Sequence, residues 1–224
     1  MAIIEAVLWD MDGVLVDSER LVMDAFVDVI NSKGGMDDPA AFYKSTIGMN
    51  RASIVSTYRS AFPADGEAED IYEQVEKLYR ARMKTDLALK PGVAESLDSI
   101  RAMGLPQMVV TSTGTETATH KLNLFSLMEY FDGLVGGDQV TQGKPHPEPY
   151  LTACQRLDVS PNRALVIEDS PNGVRAAIAA GCAVVHVPDL VDTDPEWTDE
   201  IYEALDSLES FPGWFQTQNQ GDWV

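Results

Sequence analysis

Short apolar runs that end in a carboxylate or a hydroxyl, and that alternate with helical periodicity, constrain this chain more than any other feature. Residues 3–9 (IIEAVLW) run into Asp10, residues 107–111 into Ser112, and residues 164–167 into Glu168 and Asp169. A fourth run, 183–187, lies just beyond Gly181, and a fifth, 134–136, stands before Gly137 and Asp138. Runs this short and this apolar read as strands buried on both faces. Between them, residues 93–103, 147–157 and 172–180 carry helical spacing, the first ending at Gly104 and the last at Gly181. Strand alternating with helix predicts an α/β fold, with a Rossmann-like parallel sheet and crossover helices. Such sheets bind ligands at the carboxyl ends of their strands, where Asp10, Ser112 and Asp169 all fall.

Residues 18–88 break this rhythm. They hold helical patterns at 19–32, 51–61 and 67–85, joined through Gly34-Gly35 and Pro63-Ala64-Asp65-Gly66, with no convincing strand. The expected organisation is an α/β core of 1–17 and 89–224 with an inserted helical cap at 18–88. An insert directly after the first strand would lie over the strand ends and is a candidate lid. The tail, 189–224, carries prolines, acidic residues and Trp197, Trp214 and Trp223, with a terminal helix expected at 200–208.

Composition narrows the function class. A chain of 224 residues, 45% of them hydrophobic, has room for one core plus a small second unit. No apolar run approaches the ~20 residues of a membrane span, and the N-terminus lacks the basic start of a signal peptide, so a cytoplasmic location is expected. The net charge of −20 argues against nucleic acid or an anionic membrane as partner. It also repels an anionic substrate, so local cations would have to overcome it at a phosphate site. Cys154 and Cys182 are too few for a disulfide framework and are expected to be reduced structural thiols. The expected state is a monomer or weak dimer.

The chemistry concentrates in Asp10-Met11-Asp12-Gly13. Two carboxylates two residues apart, just past a strand, reach one site if the chain turns there, and Gly13 permits the turn. One carboxylate can attack phosphorus; the other can protonate the leaving oxygen and then take a proton from water. An anionic nucleophile facing an anionic phosphate needs a cation between them, and Mg2+ suits oxygen ligands. Alone, the tripeptide reads equally as a solvated turn. Ser112, Thr113 and Gly114 offer a hydroxyl and backbone amides for phosphate oxygens. Lys144, in Gly143-Lys144-Pro145, offers a point charge, and Glu168-Asp169 further metal ligands. Each has a plainer counterpart: a turn serine, a surface lysine, a helix N-cap.

Taken in order, DMDGVLVDSE, the strand ending in Ser112, GKPHPEPY and IEDSPNGVRAAIAAG resemble the four motifs of the haloacid dehalogenase superfamily. The nearest branch is that of β-phosphoglucomutase and the sugar-phosphate phosphatases. The resemblance implies Asp10 as the nucleophile that forms an aspartyl-phosphate and Asp12 as general acid/base, its carbonyl also binding Mg2+. It further implies Ser112 and Lys144 as phosphate-binding groups, and Asp169, with Glu168 direct or one step removed, as metal ligands alongside Asp10. Gly48-Met49-Asn50-Arg51 is similar to a cap stretch aimed at the substrate, which makes Arg51 a candidate for a second anionic group; its plainer reading is an arginine starting a surface helix.

An acid/base aspartate at position 12 is unlike a dehalogenase and fits a phosphatase or a mutase. Two departures weigh against the mutase: Val22 stands where the resemblance calls for histidine, and Thr115-Glu116 where it calls for Lys-Asn. The expected activity is therefore Mg2+-dependent phosphatase action on a small phosphorylated metabolite, a sugar or sugar-acid phosphate, which is the expected partner. A phosphosugar mutase is the alternative, and a non-catalytic binding module the second. The histidines add little: His120 is expected on a helix, His146 between prolines and His186 on a strand.

Overall fold

The computed structural model describes residues 4–49, 51–192 and 198–219. The chain divides into two compact units, one of Met1–Val16 with Leu89–Val224 and one of Asp17–Ala88. Among the described residues no helix is long and apolar enough to cross a membrane.

The first unit is built on a six-stranded sheet of β1 (Ala6–Trp9), β2 (Gln107–Val110), β3 (Gly133–Val135), β4 (Ala164–Glu168), β5 (Ala183–His186) and β6 (Glu203–Ala204). All neighbours pair parallel, in the order β3-β2-β1-β4-β5-β6. The order reverses at β1, which lies between β2 and β4; that reversal opens the crevice in which α/β sheets bind ligands. Every residue of β1, β2 and β4 is buried, as two-faced coverage requires. Leu8, Val110, Val166, Val174 and Ala177 share one apolar cluster with Tyr150 and both cysteines. Cys154 and Cys182 are buried free thiols.

The helices of this unit are α5 (Val93–Ala102), α6 (Thr115–Leu124), α7 (Glu148–Leu157), α8 (Pro171–Ala180) and α9 (Phe211–Asn219). Those of the second unit are α1 (Ser18–Ser32), α2 (Pro39–Lys44), α3 (Arg51–Ala61) and α4 (Glu67–Asp86). No expectation covered α2, although Asp38-Pro39 carries its signal: the Asp38 side chain accepts from the Ala41 amide at 2.9 Å, with Pro39 in the first turn. The second unit closes on an aromatic cluster in which Phe26 stacks on Phe42 at 5.7 Å and tilts against Tyr58 at 5.3 Å.

The tail corrects one expectation. Residues 200–208 are not a helix. Their backbone completes the edge of the sheet instead: Tyr202 donates to Val184 at 2.8 Å, and Leu205 to His186 at 2.9 Å. Edge pairing satisfies open donors and acceptors on β5, which a local helical pattern cannot do. The terminal helix comes later, as α9, where Phe211 packs edge-on to the buried Trp9 at 5.3 Å. Trp214 joins that cluster through Tyr202 and Phe211; Trp197 and Trp223 lie outside the described residues.

Candidate active site

The ends of β1, β2 and β4 bring the acidic motifs together. Asp10 directly follows β1 and is only 6% exposed. The chain then turns sharply: Leu15 and Val16 both donate to the Met11 carbonyl, at 2.9 and 3.0 Å. Gly13 takes φ +89°, and a Cβ there would stand 2.7 Å from the Asp169 carboxyl carbon. Glycine is thus required twice, for its left-handed backbone and for the space that the Asp169 carboxylate fills.

Lys144 ties three segments together. Its ammonium donates to Asp10 at 2.5 Å, to Glu168 at 2.6 Å and to the Val110 carbonyl at 3.0 Å. The loop carrying it is anchored by Glu148, whose carboxylate accepts from the amides of Thr141 and Gln142 at 2.7 and 2.9 Å. Glu168 is fully buried and saturated with donors. One oxygen takes Lys144 and the Tyr150 hydroxyl, the latter at 2.8 Å; the other takes the amides of Asp169 and Ser170 and the Ser170 hydroxyl. Gly173, on the first turn of α8, makes room for this carboxylate, since a Cβ there would overlap it.

These contacts decide the charge states. Burial raises Asp10 well above the ordinary carboxylate range, Lys144 opposes this, and Glu168 and Asp12 add to the rise. Burial also disfavours the charged form of Lys144, but Asp10 and Glu168 reverse the balance and keep it an ammonium. Burial pushes Glu168 up; the Lys144 charge, the Ser170 amide and the Tyr150 hydroxyl outweigh it and hold Glu168 ionised. Lys144 is thus shared between Asp10 and Glu168, the two carboxylates that its ammonium meets.

Asp10, Glu168 and Asp169 each present an oxygen within 4.8 Å of the others. A buried set of hard oxygen donors fits Mg2+ better than a thiophilic metal. The absence of a side chain at Gly13 lets the Asp169 carboxylate lie against the turn after Asp10. His186, buried on β5, lies 3.0 Å from the Asp169 carbonyl through Nε2 and so fixes the backbone of that residue.

Asp12 belongs to a separate arrangement. One of its oxygens meets the Lys121 ammonium at 2.5 Å; the other accepts from the Thr113 hydroxyl at 2.7 Å, with Thr111 at 3.4 Å. Thr113, expected to hold substrate, therefore directs its hydroxyl to Asp12, and its amide donates to Thr111 Oγ1 at 3.0 Å. Gly114 stands exposed at the N-cap of α6. Ser112 is half-buried, with Gly137 packed so closely on its carbonyl that a Cβ there would clash. Arg51, in the second unit, starts α3 and stacks over Tyr72 at 5.1 Å. It borders a groove of about 450 Å³ shared with Glu73, Glu76, Lys77 and Arg80.

Sequence reasoning missed Lys121, Tyr150 and Thr111. Lys121 left a readable signal: the buried face of α6 is Ala118, Lys121 and Leu122, a lysine within an apolar stripe. A buried lysine requires a partner, and a search for one would have led to a carboxylate. Two buried lysines at this site also answer the difficulty of the −20 charge with local cations.

Relatives show the same association of sequence and fold. A phosphorylated carbohydrates phosphatase of Thermotoga maritima is 34% identical over 177 residues, covering 79% of this chain and 82% of its own. A phosphoglycolate phosphatase of Nitrosospira multiformis is 32% identical over 190 residues, covering 83% of each. Crystal structures of CbbY from Rhodobacter sphaeroides, one with phosphate and one with xylulose-1,5-bisphosphate, superimpose with a TM-score of 0.75 at 29% identity, covering 92% of this chain and 96% of theirs. The model of the haloacid dehalogenase-like hydrolases matches residues 7–187, and the chain belongs to that family.

Proposed function

We propose that this enzyme is a Mg2+-dependent phosphatase that hydrolyses a small phosphorylated metabolite, a sugar or sugar-acid phosphate, through an aspartyl-phosphate on Asp10. It is a phosphoric monoester hydrolase, as its relatives among the phosphorylated-carbohydrate and phosphoglycolate phosphatases support. The observation that carries the finer reading is the buried Asp10 carboxylate, paired with Lys144 at 2.5 Å beside Asp169 and Glu168. Asp10, Asp169 and the Asp12 carbonyl would hold Mg2+, with Glu168 one step removed because its two oxygens are taken by Lys144, Tyr150 and Ser170; the ion when bound offsets the repulsion between carboxylate and phosphate.

The chain's own residues account for the remaining steps. An Asp10 oxygen attacks phosphorus, and the bond to the leaving oxygen breaks with its electron pair. Asp12 gives that oxygen a proton. Water then attacks the phosphoryl group, Asp12 takes its proton, and the Asp10 carboxylate is released with inorganic phosphate. Ser112, the amides around Gly114 and Lys144 hold the phosphoryl oxygens, and Lys144 keeps Asp10 in place. Arg51 is assigned to a second anionic group of the substrate.

A mutase would pass the phosphoryl group to a sugar hydroxyl instead of water. Val22 and Thr115-Glu116 count against it, since Glu116 places a negative charge on the first turn of α6, after Ser112. The experiment is phosphate release from a panel of sugar and sugar-acid phosphates, by wild type and Asp10→Asn, with and without chelator. Asp10→Asn should remain folded and lose nearly all turnover, and chelator should abolish wild-type release. Wild-type turnover by Asp10→Asn, or full activity in excess chelator, refutes the mechanism. Efficient isomerisation of β-glucose 1-phosphate with little phosphate release refutes the phosphatase reading in favour of the mutase.

A further inference from the structure

The geometry points to Lys121 as the positioning residue of the acid/base: it holds the Asp12 carboxylate in the orientation needed to take a proton from the water that hydrolyses the phosphoenzyme. This rests on the proposed roles of Asp10 and Asp12 and deepens them.

Lys121 is a lysine where packing alone would place an apolar side chain. It lies between Ala118 and Leu122 on the buried face of α6, and its side chain is only 4% exposed. Burying an ammonium is costly unless it is paired, so the position is stable because of what the ammonium meets. It meets Asp12 Oδ1 at 2.5 Å, while Thr113 Oγ1 donates to Oδ2 at 2.7 Å. The two contacts grip the two oxygens of one carboxylate, which fixes both where it lies and how its plane is turned. Asp12 itself keeps a 15% exposed side chain, so the gripped carboxylate remains open to water and substrate.

The two lysines divide the work. Lys144 holds Asp10 and Glu168, whereas Lys121 holds Asp12. Lys121 lies one step away from the reacting atoms and acts only through Asp12. Its removal should therefore affect the steps that use Asp12 and spare the one that does not. With p-nitrophenyl phosphate the leaving p-nitrophenolate needs no proton, so formation of the phosphoenzyme does not depend on Asp12. Its breakdown does: the water oxygen bonds to phosphorus, its proton passes to Asp12, and the phosphorus–Asp10 bond breaks.

The test is rapid-quench measurement of both steps in Lys121→Met, which keeps the length of the side chain and removes the charge. The expected result is phosphoenzyme formation from p-nitrophenyl phosphate within about two-fold of wild type, with breakdown slowed at least ten-fold. Steady-state kcat and KM should then fall together, leaving kcat/KM nearly unchanged. Lys121→Arg should recover part of the breakdown rate. In an Asp12→Asn background, Lys121→Met should add no further loss, because the residue acts only through Asp12. Equal slowing of both steps, or an undiminished extra loss in the Asp12→Asn background, overturns the proposal in favour of a general structural role. If Lys121→Met does not fold, Thr113→Val removes the other grip and should slow breakdown selectively; unchanged breakdown there overturns it equally. A wild-type enzyme that forms no phosphoenzyme on Asp10 refutes the parent mechanism, which separates that failure from failure of the Lys121 assignment.

Discussion

Gly173→Ala and Gly213→Ala are the same substitution at the same place in two helices, and they should change stability in opposite directions. Each glycine is the third residue of its helix, α8 or α9. On helix propensity alone, alanine at either site gains up to about 1 kcal/mol. A Cβ on Gly213 meets no atom within 4 Å, so that gain should be realised. A Cβ on Gly173 would overlap the Glu168 carboxylate. That carboxylate cannot yield cheaply: it holds Lys144 at 2.6 Å and Tyr150 at 2.8 Å, and accepts from the Asp169 and Ser170 amides at 2.9 Å each. Breaking up such a buried pair costs about 3–5 kcal/mol, so the net change at Gly173 is a loss of about 2–4 kcal/mol once the propensity gain is subtracted. At about 2–4 °C per kcal/mol for domains of this size, Tm should fall by about 4–16 °C in Gly173→Ala and rise by a few degrees at most in Gly213→Ala. Calorimetry on the two variants and wild type is the assay. A Gly173→Ala protein with a Tm at or above wild type would show that Glu168 moves aside at little cost, and the account of this buried carboxylate would fail.

Two further outcomes follow from the candidate site. Arg51→Ala should lower kcat/KM for the best sugar or sugar-acid phosphate of a panel by roughly 30- to 100-fold, as expected for a charged hydrogen bond worth about 2–3 kcal/mol, while sparing p-nitrophenyl phosphate; equal losses on both substrates would remove Arg51 from specificity. His186 carries a pKa that burial holds below the ordinary 6.5, so the unfolded chain binds its proton first as pH falls. The stability that this neutral histidine contributes is fully present above 6.5 and is lost as pH drops through the lower, folded value. Denaturation midpoints from pH 7 downward should therefore fall less steeply in His186→Gln than in wild type, and parallel curves would contradict this.

Legibility of the fold and the site depended on how local each signal was. The strands of the core were readable because a parallel strand buried on both faces must be almost wholly apolar, and β1, β2 and β4 are. The turn after Asp10 was readable because Gly13 is demanded by the backbone itself. By contrast, β6 was not: residues 203–204 form a strand only because β5 presents an open edge that accepts them, and nothing within that segment encodes the edge. The helix expected there lost to a partner far away in sequence.

The candidate site divides along the same line. The sequence by itself determined which residue types stand at the ends of the strands: Asp10, Asp12, Ser112, Glu168 and Asp169 follow apolar runs, and the chain direction of a parallel sheet places those ends on one side. Only the tertiary structure decided which group meets which. Lys144 reaches Asp10 across 134 positions and Lys121 reaches Asp12 across 109, separations at which sequence spacing carries no distance information. Glu168 and Asp169 are neighbours in sequence, yet one is saturated inside the core and the other lays its carboxylate in the space left by Gly13. Alternation along the chain turns adjacent side chains to opposite sides, but burial and partners, set by the packing of α7 and α8 around β4, decide what each carboxylate can do.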